Sequence, residues 1–177
     1  MTNSIAQFNI QFDAVEDRLQ LRVLSTDDKE IRVWLTRRYV RLLLQTMSEQ
    51  LPEDSQVKLQ KSQLDHGSTA TDDSEGISDS QFDEQYKGTE DTALPLGADP
   101  VLVSNIACRE QTDGNLALVL GQQHEDGVKM QMSLSTELAE NLVQMLLQAA
   151  RVAEWDLNIN SWAENFANQR TDNTVLH

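Results

Sequence analysis

Arg22, Arg32 and Trp34 offer the most chemistry in this chain of 177 residues. A guanidinium binds carboxylate or phosphate through a planar fork of donors, and an indole offers a wide face for an apolar group or a nucleic-acid base. All three occupy the polar positions of two alternating stretches, Leu19-Gln-Leu-Arg-Val23 and Ile31-Arg-Val-Trp-Leu35. As strands, these stretches would direct the three side chains to one sheet face, opposite Leu21, Val33 and Leu35. Arg37, Arg38 and Arg41 follow at the start of a predicted helix, where cations oppose the helix dipole and so do not serve helix stability. Arginine and tryptophan are the types that dominate binding hot spots. The expected ligand of these six residues is an acidic protein or a single-stranded nucleic acid stacked on Trp34. The competing reading is a solvated basic face whose arginines pair with Asp and Glu of the other half of the chain.

Catalytic chemistry has little to draw on. Of the three histidines, His66 lies in a polar stretch, His124 in a turn and His177 at the end. Cys108 is alone, so no pair of ligand-type residues shows zinc spacing and no intrachain disulfide can form. No phosphate-cradling glycine loop, nucleophile elbow or calcium loop is present. Cys108 reads as a small buried apolar side chain. The expectation is a protein that is not an enzyme and needs no metal or cofactor.

Charge is distributed unevenly along the chain. Residues 1–51 are net 0, residues 52–100 net −9 and residues 101–177 net −6, giving −15 overall. Every arginine before residue 100 lies in the first 41 residues. Such acidity repels nucleic acid and anionic membranes at long range, so a protein partner is expected first and nucleic acid second. No apolar run approaches membrane-spanning length, and Met1–Asn9 lacks the basic and apolar regions of a secretory signal. These features, with the single cysteine, suit a cytoplasmic protein of bacterial or phage style.

The positioning elements follow from periodicity. Phe8, Ile10 and Phe12, then Leu19, Leu21 and Val23, then Ile31, Val33 and Leu35 alternate as three strands. Thr36 can cap a helix with the apolar face Tyr39, Leu42, Leu43, Thr46 and Met47, ending near Pro52. From Pro100 a similar order returns. Val101, Val103, Ile106 and Cys108 mark one strand, with a bulge between Val103 and Ile106. Asp113-Gly114 is a hairpin signal. Leu116, Leu118 and Leu120, then Val128, Met130 and Met132, alternate. Ser135 or Thr136 can cap a helix bearing Leu138, Leu142, Met145, Leu146, Ala149 and Val152. Ser161 with Glu164 forms a capping box for a short segment carrying Trp162 and Phe166, downstream of Trp155.

The expected fold is therefore α+β. Two βββα repeats, residues 1–61 and 99–177, pair as an internal pseudo-dimer, with antiparallel meander sheets packed on amphipathic helices. Between them, residues 62–98 are too polar to offset their ordering entropy and read as a disordered acidic linker. Phe82 and Tyr86 are its only aromatics. Strand and helix positions match at an offset of 97, with a two-residue insertion placed between the third strand and the helix. This layout resembles that of whirly-type and PUR-type nucleic-acid binders, though the chain has no motif of either and each repeat is one strand short. The functional expectation is an interaction module, an adaptor or subunit of a larger assembly, as a monomer with an internal pseudo-twofold or as a homodimer. The alternative is a single-strand-binding module with an autoinhibitory acidic linker.

Overall fold

The computed structural model describes residues 5–64 and 92–157. The elements in chain order are β1 (Ile5–Asp13), β2 (Arg18–Ser25), β3 (Glu30–Thr36), α1 (Arg37–Gln50), α2 (Glu53–Leu64), β4 (Val101–Leu102), β5 (Asn105–Glu110), β6 (Leu116–Gly121), β7 (Lys129–Leu134) and α3 (Thr136–Val152). They make an α+β fold with two sheets, ordered β1-β2-β3-β4 and β5-β6-β7. The segment expected as linker lies mostly outside the described residues, with Phe82 and Tyr86. So do Ser161, Trp162, Glu164 and Phe166.

Alternation sets the registers. Phe8, Ile10 and Phe12 stand opposite Val23, Leu21 and Leu19, which stand opposite Ile31, Val33 and Leu35. In the second sheet Ile106 and Cys108 face Leu120 and Leu118, and these face Met130 and Met132. Each first hairpin turns through a left-handed residue one or two positions before its second strand, Asp17 at φ 50° and Gly114 at φ 79°. Aspartate tolerates that region where most side chains do not. Asp13 holds the first turn by accepting from the backbone N–H groups of Val15 and Glu16, at 2.9 and 3.0 Å.

The single bulged strand expected over Val101–Cys108 is instead two strands, because between Val103 and Ile106 the chain passes from one sheet to the other. Val101 and Leu102 pair in parallel with Val33 and Trp34 of β3. Val103 N–H then donates to the Trp34 carbonyl at 3.0 Å, and Ser104 N–H donates to the Gly121 carbonyl at 2.8 Å. One extended run thus hydrogen-bonds both sheets.

Both helices start as expected, at Thr36 and Ser135, whose hydroxyls accept from Tyr39 and Leu138 N–H. Their buried stripes are rotated from the expected ones. In α1 the buried residues are Val40, Leu43, Leu44 and Met47, while Leu42 is exposed. In α3 they are Ala139, Leu142, Val143, Leu146, Leu147 and Ala150, while Val152 is 69% exposed. The reason is tertiary: α1 packs on β5 and α3 as well as on β3, and α3 packs on β1. Each helix is turned toward the other half of the chain. The β7 register also differs: Val128 lies in the preceding loop, and Leu134 completes the buried set with Met130 and Met132. Residues from both halves form one hydrophobic core.

The ends of the polar middle stretch are more ordered than composition suggests. Residues 62–64 belong to α2. Ala93 pairs with Lys29, and its carbonyl accepts from Glu30 N–H at 2.9 Å. After α3, Trp155 is buried, meets Phe12 edge-to-face at 6.0 Å, and donates its Nε1–H to Asp17 Oδ1 at 2.8 Å. Trp155→Phe keeps an aromatic ring but loses this bond to a carboxylate, which is expected to cost about 1.5 kcal/mol. The expected readout is a drop of about 5 °C in Tm. Asp17→Asn in the Trp155→Phe background should add little, because the two residues act through one bond.

Candidate interaction surface

The first sheet's outer face, opposite the core, is ordered in rows by strand register. One row runs Gln11, Gln20, Trp34, Leu102; the next runs Asn9, Arg22, Arg32; the third runs Gln7, Leu24, Glu30. The structure therefore brings Arg22, Arg32 and Trp34 together as their spacing requires. Arg22 and Arg32 are directly opposite each other on adjacent antiparallel strands. Trp34 is half-buried, and its neighbour Leu102 is 40% exposed.

Like charges directly opposite in a sheet are unfavourable. Here each guanidinium is held by the residue two positions earlier on the same face. Arg22 Nε donates to Gln20 Oε1 at 2.8 Å, and Arg32 Nε donates to Glu30 Oε1 in an ion pair. Arg32 Nη1 also reaches the Ala98 carbonyl at 3.4 Å. Glu30 is only 2% exposed, whereas the Arg32 side chain is 29% exposed. The acid that pairs with Arg32 thus comes from its own strand, where one reading of the sequence expected an acid of the other half. Asn9, opposite Arg22, has its Oδ1 buried with no hydrogen-bond partner, the one such side-chain atom among the described residues. A buried acceptor without a hydrogen-bond partner is a local cost.

Arg37, Arg38 and Arg41 are exposed on α1 and form a separate group at its N-terminus. Arg37 Nη2 donates to the Asp156 carbonyl at 2.9 Å, which ties α1 to the chain after α3. The second sheet's outer face carries Ala107, Val119 and Gln131 in one row and Arg109, Ala117 and Ser133 in another. It has no opposed arginines and no tryptophan.

Sequence reasoning places Gln20 on this face with Arg22 but misses Glu30 and Leu102 as members of the surface. Glu30 was legible in principle, since it lies two residues before its arginine and shares its face, as Gln20 does. Leu102 was not, because no local signal announces a parallel pairing with a strand about 70 positions earlier. Elsewhere, Cys108 is half-buried and burial pushes its thiol above the ordinary range, so it is protonated at neutral pH. Among the described residues no three His, Cys, Asp or Glu groups converge to hold a metal ion, and no helix is long and apolar enough to cross a membrane. Comparison with protein-family models, curated proteins and solved structures finds no match to this chain.

Proposed function

We propose that the chain is a non-enzymatic interaction module, an adaptor or subunit of a larger assembly, that docks an anionic partner on the outer face of its first sheet. The observation carrying this reading is the placement of Arg22 directly opposite Arg32, one row from Trp34 and Leu102. Two guanidinium groups, oriented by Gln20 and Glu30, lie beside an apolar platform that would add contact area. A protein is the first reading, because the chain is net −15 and repels nucleic acid at long range. A single-stranded nucleic acid is the second, favoured by a half-buried indole next to guanidinium groups. The deciding experiment compares capture by the parent chain and by an Arg22→Glu variant, with and without nuclease. A partner retained after nuclease and lost with Arg22→Glu supports the first reading. A partner lost with nuclease supports the second. Equal capture by both chains removes the surface from consideration.

The two halves are proposed to be copies of one βββα unit. Supporting this, the caps Thr36 and Ser135, the buried pairs Leu43/Leu142 and Met47/Leu146, and the cross-strand pairs Leu21–Val33 and Leu118–Met132 all correspond. In this alignment the two-residue insertion moves into the second hairpin. That loop is closed by Gln122 N–H to the Val128 carbonyl, against Ser25 N–H to Lys29 in the first half. The middle stretch is proposed to be a tether. Replacing residues 65–91 by Gly and Ser at equal length is expected to leave Tm within about 2 °C, because loop closure depends weakly on composition once a tether is flexible. A larger drop in the melting curve would show that the stretch packs on the body.

A further inference from the structure

We infer that the open edge of β7 is a strand-accepting surface, and that its occupant is the chain's own segment 174–177. That segment runs parallel to β7, with Val175 and Leu176 in the places that Val101 and Leu102 take beside β3. The inference rests on the proposed correspondence of the two βββα units and extends it to this edge. In the first sheet the edge of β3 receives extended chain in parallel. Val101 and Leu102 pair with Val33 and Trp34, and Val103 N–H donates to the Trp34 carbonyl at 3.0 Å. The caps Thr36 and Ser135 align β3 with β7, so Met132 and Ser133 stand where Val33 and Trp34 do. The directions of the peptide groups agree. The Val128 carbonyl accepts from Gln122 N–H within the β6–β7 hairpin. Backbone groups alternate along an antiparallel strand, so Met130 and Met132 point to β6 while Gln131 and Ser133 point away from it. Among the described residues no strand pairs with that side. The edges at β1 and β5 are protected: β1 carries a register shift between Ile5 and Gln7, and in β5 the Glu110 N–H is met by Gln50 Oε1 at 3.3 Å. Strand β7 pairs with β6 without a shift, holds no proline and has one charged residue, Lys129. Such an edge is the kind that proteins cover.

The occupant follows from reach and residue type. Helix α3 starts beside the end of β7, and its 17 residues carry the chain about 25 Å away. Residues 158–174 span about 56 Å when extended, enough to return. Val175-Leu176 is the one pair of adjacent branched aliphatic residues in 158–177, and it repeats the Val-Leu pair of β4. The chain ahead of β1 is no substitute, since Ile5 stays paired with Ser25 of β2.

The test is amide hydrogen exchange by NMR on the full chain, comparing the parent, a Val175→Gly/Leu176→Gly variant and a Trp162→Gly/Phe166→Gly control in the same segment. The Ser133 amide is expected to exchange about tenfold more slowly, or slower still, in the parent and the control than in the Val175→Gly/Leu176→Gly variant. Met130 and Met132, which face β6, should keep one rate in all three proteins. Nuclear Overhauser contacts between the 174–177 segment and β7 should follow the parallel order and persist on dilution. Equal Ser133 exchange in the parent and the Val175→Gly/Leu176→Gly variant overturns the inference while the repeat correspondence stands. Contacts in antiparallel order overturn it through that correspondence, which sets the direction. Protection of Ser133 that fades on dilution also overturns it, because the strand then comes from a second copy.

Discussion

Residues 1–64 and 92–177, expressed as two separate chains, are expected to be largely unfolded alone and to regain helix and sheet when mixed. The expectation follows from where the buried surface lies. Helix α1 rests on β5 and α3, and α3 rests on β1, so each fragment lacks the surface its own helix covers. Strand β4, from the second fragment, adds to β3 of the first. Specific bonds cross the same boundary: Tyr39 Oη donates to the Ser104 carbonyl at 2.7 Å, Ser55 Oγ donates to Glu140, and Trp155 bonds Asp17. Separation would expose several of Leu43, Leu44, Met47, Leu142 and Leu146, each fully buried in the intact chain. Exposing one such side chain costs about 1.5–3 kcal/mol, so four or five of them match the whole stability of a typical domain, about 5–15 kcal/mol. Circular dichroism and amide dispersion of each fragment, alone and mixed, provide the measurement. A cooperative melt of either fragment as a monomer would show two independent domains and would contradict the shared core as the source of stability.

The two arginines of the candidate face are expected to behave differently when reversed in charge. Arg32→Glu should lower stability by about 3 kcal/mol, because it removes the ion-pair partner of a buried carboxylate and sets a like charge beside it. The cost lies at the lower end of the usual range for a broken buried pair, because the Arg32 side chain keeps 29% of its surface in water. The expected fall in Tm is about 10 °C. Glu30→Gln in the same chain should recover most of it, since a neutral amide needs no cation. Arg22→Glu should lower Tm by less than Arg32→Glu, because Glu30 keeps its ion pair with Arg32 and the new anion lies opposite that cation. Yet Arg22→Glu should abolish binding of an acidic ligand, and binding by the parent should weaken as salt rises. Melting curves for the parent and the three variants, with one titration series, separate the roles. Equal destabilisation by both charge reversals would mean that Arg22 is also an internal ion-pair partner, and the face would then be structural.

Much of the architecture was legible without coordinates, because its signals are short-range. Alternation over five residues marks a strand with one buried face, and Phe8 to Phe12, Leu19 to Val23 and Leu116 to Leu120 all sit in strands. A threonine or serine before an apolar period of 3.6 marks a helix start, and Thr36 and Ser135 are both caps. The Asp113-Gly114 turn is a requirement of local backbone geometry. For the same reason the alternation of Arg32 and Trp34 put them on one face, and the hairpin brought Arg22 to them.

The tertiary structure decided what those signals leave open. Helical periodicity shows that an apolar stripe exists, but Tyr39, Val40, Leu42, Leu43 and Leu44 offer overlapping stripes. The buried one was selected by β5 and α3, which come from distant sequence. The same holds for β4. Val101 and Leu102 are two residues long, and only the free edge of β3 turns them into a strand and places Leu102 beside Trp34. Glu30 looks like a turn residue by type. It becomes a buried ion-pair partner because Ala93 pairs along the β3 edge and the Ala98 carbonyl reaches Arg32. Residues 19–47 thus specify the strands, the helix and the shared face by local backbone geometry alone. Which stripe is buried, which edge is covered and which arginine is anchored depend on contacts between segments 50 or more residues apart, whose free energy comes from surface buried jointly and leaves no periodic trace in either segment.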